Sequence, residues 1–286
     1  LKDDLKRRDF SINAIAYEIS SQTIYDPFHG IMHIQKKELH LLHKNSISDD
    51  PSRLLRCSKY ATRLGFNISN ESLNQSQVVI NTWPWQCTHN DFGYKYPPGI
   101  SIRIRMEIFE IIKYDNLTEI IKKLEEWHVL ALINEDILIN KKFIRGLTWL
   151  KRLNGNVILY IIKDSKSLER ISDRFFINQK EKNYLKDFFE IKEFLKNNEK
   201  EFDNYSPSSW TQFIEQKNLD PETVKLLICE GGKFWRPFLR WLIIYRYIKS
   251  NKNGEVLKKE GWKTGKVMGK EIKRLRYDQI DNYKKN

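Results

Sequence analysis

Near the start of the chain, Asp4-Leu5-Lys6-Arg7-Arg8-Asp9-Phe10-Ser11-Ile12-Asn13-Ala14 sets two adjacent arginines between carboxylates. Guanidinium forks bind phosphate or ribose oxygens in pairs, and an aspartate can orient a fork or accept from a ribose hydroxyl. A salt-bridged surface turn before a strand would use the same residues, so the segment alone leaves both readings open. A second segment, Tyr25-Asp26-Pro27-Phe28-His29-Gly30, reads as a turn closing a strand, with Gly30 expected at a positive φ.

The third segment runs Asp49-Asp50-Pro51-Ser52-Arg53-Leu54-Leu55-Arg56-Cys57-Ser58-Lys59 and on to Gly65-Phe66. Asp50 can cap a helix, Pro51 suits its first position and Gly65 its end. Leu54, Cys57, Ala61 and Leu64 make an apolar stripe, while Arg53, Arg56 and Lys59 follow another face to which Arg63 returns. Cations in the first two turns oppose the helix dipole, and a purely structural helix would place them at its far end. An acidic pair followed by a basic face suits a site that takes both base donors and phosphate charge; a solvated face is the alternative.

The elements that position these segments are mostly helical. Residues 11–19 and 22–25 flank Ser20-Ser21 and read as two strands or a helix–strand pair, with a short strand around Ile31 to Ile34. Residues 67–100 read as irregular, broken by Trp83-Pro84-Trp85 and Pro97-Pro98-Gly99. Helices are predicted over 102–114, 117–127, 142–153, 158–163, 179–197, 208–216, 221–230, 235–249 and 263–279. The fold class is mostly α, a small α+β part followed by a long helical array.

Composition agrees with a phosphate-rich partner. The chain carries 50 Lys and Arg against 37 Asp and Glu, for a net charge of +13 and a pI near 9.4. Solubility through lysine-rich faces, or compositional bias, would produce the same numbers. Lys258 to Arg276 is especially basic. Cys57, Cys87 and Cys229 are far apart, lack metal-site spacing and predict neither zinc nor a disulfide partner. They fit a reduced, cytoplasmic setting. The longest apolar run, 238–248, is interrupted by Arg240 and Arg246 and cannot span a membrane. Most tryptophans read as core residues. His89 beside Asp91, and the His40/His43 pair, lack further ligands for a metal.

In order and spacing, the three segments resemble the class II family of CCA-adding enzymes and bacterial poly(A) polymerases. The family's ribose-recognising motif, R-R-D-F-T-I-N-A, is matched by Arg7 to Ala14 with Ser11 for threonine. Its hinge motif D-P-x-G-G is matched by Asp26 to Gly30, with His29 for the first glycine. Its base-selecting motif E-D-x-x-R-x-x-R is matched from Asp49, which replaces the glutamate, through Asp50, Arg53 and Arg56. Arg103-Ile104-Arg105-Met106-Glu107 matches a later R-I-R-x-E element. Leu257, Gly261, Gly265 and Gly269 resemble a tail pattern.

The resemblance implies the C-terminal part of a polymerase-β-like nucleotidyltransferase head in residues 1–45. It further implies a nucleotide-selecting helical neck in 46–130 and an elongated helical body and tail binding tRNA in 131–286. Nucleotide binding is expected at Arg8, Asp9, Asp50, Arg53, Arg56 and Lys59, hinge roles at Asp26 and Gly30, and RNA contacts at Lys263, Lys266, Lys270, Lys273 and Arg274. An arginine is common where Lys59 stands, which puts bidentate contact there in doubt. Expected substrates are ATP and CTP, with Mg²⁺ held by a D-x-D pair that precedes the ribose motif in the family. No D-x-D occurs in these 286 residues and no Gly-Gly pair precedes Gly231, so the catalytic half of the head is expected to be absent. The opening at Leu1, without a methionine, reads as a chain entered in its middle. The motifs do not separate CCA, CC-only, A-only and poly(A) activities, and a catalytically inactive RNA-binding protein is a further alternative.

Overall fold

The computed structural model of the chain describes residues 1–82, 98–166 and 168–283. Trp83, Trp85, Cys87, His89 and Asp91 lie outside the described residues. The backbone divides into two compact units, one of residues 1–140 and 157–178, the other of residues 141–156 and 179–286.

The first unit begins with the short helix Lys2–Lys6 and a single 3-10 turn over Ser11–Asn13. Two antiparallel strands follow, Ala16–Glu18 and Thr23–Tyr25, with Tyr17 opposite Ile24. The run expected as a strand around Ile31 is instead the helix Gly30–Lys36. Asp26 explains the difference: its carboxylate accepts from the amides of Gly30 at 2.7 Å and Ile31 at 2.9 Å, satisfying free donors of a first turn. A short apolar run cannot by itself distinguish a strand from such a helix. The positive φ expected at Gly30 falls one residue earlier, on His29 at φ 58°. Gly30 is needed for space, because a Cβ there would sit 2.4 Å from the Ser11 carbonyl oxygen and 2.8 Å from Ile15.

On the helix Arg53–Leu64, three members of the stripe read from the sequence, Leu54, Cys57 and Ala61, are wholly buried together with Leu55, whereas Leu64 in the last turn is exposed. It packs on the helices Pro98–Ile112 and Leu117–Glu126. Burial of each leucine stabilises the unit by about 2 kcal/mol. Gly65 ends the helix in the left-handed conformation at φ 68°, as its position predicts. Asp50 differs from expectation: its side chain turns back onto Ser52, accepting from the amide at 3.1 Å and the hydroxyl at 2.5 Å, and the regular helix starts at Arg53.

The stretch expected to be irregular contains the helix Asn70–Thr82, and Pro98 opens the next one. Ser72 and Ser76 are buried on the first of these, so its inner face lacks the apolar periodicity that would have marked it. Pro98 has no N–H to lose at a helix start.

In the second unit the helix Pro221–Glu230 is the centre, buried at seven successive or near-successive positions from Thr223 to Glu230. Asp220 accepts from the Glu222 amide at 2.9 Å and Pro221 takes the first position, the combination that fixes a helix start. The helices Lys141–Arg152, Gln179–Asn197 and Trp235–Ile243 pack around it. The last is shorter than predicted. Beyond it the Tyr245 and Ile248 carbonyls accept from the Arg276 guanidinium, at 3.2 and 2.8 Å, instead of continuing the helix. Arg276 belongs to the terminal helix Lys266–Asp281, which packs on Pro207–Gln216. Short helices additional to those predicted include Leu168–Arg174 in the first unit and Glu199–Phe202 and Gly254–Lys259 in the second.

Candidate nucleotide-binding site

Asp9 and the helix Arg53–Leu64 meet at one side of the first unit. The Arg53 Nε lies 2.8 Å from Asp9 Oδ1 and the Arg56 Nε 2.8 Å from Oδ2, so one carboxylate holds two guanidiniums a turn apart. Arg56 also donates from Nη1 to Glu107 Oε1 at 2.9 Å and reaches Asp50 Oδ2 at 3.3 Å. Lys59 lies 3.6 Å from Glu107 Oε2, and Arg103 lies 3.4 Å from Asp50 Oδ2. The i, i+4 spacing of Arg103 and Glu107 puts both on one face of the Pro98–Ile112 helix, so that helix completes the cluster.

Three carboxylates thus face four cations, leaving one net positive charge in a half-buried setting. Burial works against the charge on Arg56. Asp9, Glu107 and Asp50 outweigh it and hold the guanidinium's pKa above its usual value. Arg53 forms an ion pair with Asp9 through Nε, without hydrogen-bond geometry, and donates from Nη1 to the Ser46 carbonyl and hydroxyl, at 3.0 and 2.9 Å. No partner among the described residues takes its Nη2. Asp50 is in the opposite condition. Ser52 engages Oδ1 twice, and Arg56 and Arg103 share Oδ2 through longer contacts. A carboxylate offers about four acceptor positions, so a new donor must loosen one of these contacts. The Arg103 contact is the longest and its side chain is 56% exposed.

Arg8, which the sequence places with Asp9, does not join this cluster. It reaches Asp4 at 3.4 Å, and its side chain is half exposed. Cys57 on the same helix is core, and burial pushes its thiol pKa far up.

Comparison with known proteins gives this geometry its context. Residues 1–40 match the family model described as the Poly A polymerase head domain. The A-adding tRNA nucleotidyltransferase of Aquifex aeolicus is 26% identical over 96% of this chain and 34% of its own length. The Multifunctional CCA protein of Psychromonas ingrahamii is 46% identical over 26% of the chain and 18% of its own length. Among solved structures, the Thermotoga maritima CCA-adding enzyme complexed with tRNA superposes with a TM-score of 0.74 at 20% identity. That match covers all of this chain and 71% of the other. The chain is thus similar to tRNA nucleotidyltransferases and CCA-adding enzymes. At this identity the structural likeness establishes the fold, and the chain spans about a third or less of the curated relatives' length.

Within the family's motifs, the ribose and base-selecting segments are the ones brought together, through Asp9 and Arg56. Arg103 and Glu107 stand in the R-I-R-x-E match, to which the sequence attaches no role, and no sequence signal singles out Ser46 or Ser52. Only their place in three dimensions shows that they brace the arginines and Asp50. Asp26 and Gly30 of the hinge motif act locally, the first by capping the Gly30–Lys36 helix and the second by admitting the Ser11 carbonyl. Of the tail residues, Lys263, Lys266, Lys270 and Lys273 are exposed, and the last three share one face of Lys266–Asp281. Arg274 instead pairs with Glu271 and Asp278, each at 2.7 Å.

The residues present do not fit the family's Mg²⁺ ions. Asp9, Asp50 and Glu107 are each occupied by guanidinium or ammonium groups, and among the described residues no cluster of three potential ligands exists. No helix of the described residues is long and apolar enough to cross a membrane.

Proposed function

We propose that the chain supplies the nucleotide-selecting and RNA-gripping parts of a tRNA nucleotidyltransferase that adds C, A or both from CTP and ATP to the 3′ end of tRNA, in tRNA maturation and repair. Residues 1–45 are read as the end of its head, 46–130 as the neck and 131–286 as body and tail. The observation that carries this reading is the bridge from Asp9 of the ribose motif to Arg53 and Arg56 of the base-selecting motif.

Cytosine and adenine both present an exocyclic amino donor beside an unprotonated ring nitrogen. Asp50 accepts from the amine, and Arg53, with its unspent Nη2, donates to the ring nitrogen. Uracil and guanine present a carbonyl and a ring N–H at the same places. They would leave buried groups unpaired at about 1–3 kcal/mol each. Arg56 and Lys59 hold the arrangement through Glu107 and add positive charge toward the phosphates, while Arg8 and Asp9 face the ribose. The exposed tail lysines contact tRNA phosphates, and the setting is cytoplasmic. Nucleotidyl transfer in the family needs Mg²⁺, and with no D-x-D in the sequence these 286 residues alone do not transfer nucleotides.

The alternatives are an RNA-binding protein that keeps the nucleotide pocket without catalysis and, within the enzymes, a poly(A) polymerase. Titration calorimetry with CTP, ATP, UTP and GTP tests the pocket. CTP and ATP should bind at least about tenfold more tightly than UTP and GTP, and Arg53→Ala should remove the difference. Equal affinity for all four would overturn the assignment. Mg²⁺-dependent incorporation of CMP or AMP by residues 1–286 would overturn the inactivity.

A further inference from the structure

The second unit contains a cavity of about 340 Å³, within the range of small-ligand pockets. Its floor is apolar, formed by Leu195, Leu227 and Phe238, all buried. Its rim carries Lys142, Lys192, Lys196 and Lys233 against Glu199 and Glu230. Glu230, with a side chain only 11% exposed, lies 2.6 Å from Lys142 and 2.8 Å from Lys192. One carboxylate therefore aims two ammonium groups at the same opening, and each ammonium keeps N–H donors beyond the one it spends there. Lys196 is exposed and has no protein partner among the described residues.

The cavity also has an aromatic wall. Trp235, which lines it, lies 5.7 Å from Trp149, and both rings are only half buried, unlike Trp210 and Trp241 of the same unit. Arg152 stands over Trp149 at 5.7 Å and Arg236 over Trp235 at 5.6 Å. The turn before Trp235 passes through Gly231 and Gly232, both at positive φ. A Cβ on Gly231 would meet the Arg145 guanidinium, so the glycine admits one more cation to the edge. Cations beside partly exposed indoles, next to a lysine-rimmed cavity, combine the two contacts that an unpaired nucleotide offers, an aromatic face and a phosphate.

We infer that this cavity binds a nucleoside phosphate, its phosphate on Lys142, Lys192 and Lys196 and its base against Trp235 and Trp149. The ligand is either a free nucleotide or one unpaired nucleotide of an RNA strand. The site lies wholly within the second unit, and the inference does not depend on the nucleotide-selecting role assigned to the first.

The test uses the full 286-residue chain and a fluorescein-labelled pentaadenylate, with binding read by fluorescence anisotropy. Lys192→Gln/Lys196→Gln and Trp149→Ala should each weaken binding at least about fivefold, the lower end of what one base–aromatic stack contributes. Lys122→Gln, on the exposed face of Leu117–Glu126 in the first unit, should leave this binding unchanged. Trp149→Phe, which keeps an aromatic face, should retain it, and circular dichroism should report the same helix content in every variant. Displacement of the oligonucleotide by AMP assigns the site to a free nucleotide; resistance to AMP assigns it to a strand. Undiminished binding in both the lysine and tryptophan variants overturns the inference. So does a loss confined to the lysine variant, because charge alone would then account for it.

Discussion

Asp9 Oδ2 lies 2.8 Å from Arg56 Nε, joining two residues 47 positions apart in the chain. The same carboxylate holds Arg53 through its other oxygen. Two guanidiniums one turn apart repel one another when no anion lies between them, so Asp9 fixes the geometry with which the helix addresses a ligand. Asp9→Asn keeps the shape and removes the charge. It should lower unfolding stability by about 3 kcal/mol, since all three side chains are less than a quarter exposed. Urea denaturation followed by circular dichroism measures the loss. A change below about 0.5 kcal/mol would mean that the bridge does not contribute.

Arg103 holds Asp50 in the absence of a ligand, through the most exposed of its contacts. A base amine that needs Asp50 must displace it. Arg103→Ala should therefore leave stability within about 0.5 kcal/mol of the parent, as exposed ion pairs do. The same change should tighten CTP and ATP binding a few-fold by calorimetry. Weaker binding would show instead that Arg103 contacts the nucleotide.

The His33 ring stacks on His40 with centroids 3.7 Å apart, and its Nδ1 lies 2.8 Å from the Ser11 hydroxyl. Burial first, and then the neighbouring His40, lower the His33 pKa below 6.5. A histidine with a depressed folded-state pKa favours the native state while neutral. That contribution is present above about pH 6.5 and declines as the pH falls through the folded-state value. Thermal unfolding between pH 7.5 and 5 should show the melting temperature of His33→Gln falling less than that of the parent. Parallel curves would remove His33 as the cause.

The tail lysines give a prediction in salt. tRNA affinity should fall linearly on a log–log plot against salt concentration, and each phosphate contact removed should lower the slope by about 0.9. Lys266→Gln/Lys270→Gln/Lys273→Gln should thus reduce the slope by about 2 to 3, whereas Arg274→Gln, already neutralised by Glu271 and Asp278, should reduce it least. Filter binding between 50 and 200 mM salt would decide, and an unchanged slope in the triple variant would exclude these lysines.

Helices were most legible where a proline or aspartate opened an apolar run, as at Pro221–Glu230. Those that were not legible had a different inner face or a different cause. Asn70–Thr82 buries serines, and Gly30–Lys36 depends on the Asp26 carboxylate more than on its own residues. At the site, sequence spacing placed Arg53, Arg56 and Lys59 on one helix face. It could not show that Asp9 would lie between two of them, because that depends on how distant segments pack. Arg8 illustrates the converse. Adjacency to Asp9 in the chain did not bring it to the same cluster, since Asp4 one turn earlier is nearer to hand.

At Gly30 a hydrogen replaces the side chain so that the Ser11 carbonyl can approach, while Asp26 grips the start of the same helix. The joint is accordingly tight on both sides. A larger residue at position 30 would push on the Ser11 carbonyl, two residues along the chain from the carboxylate that holds both arginines.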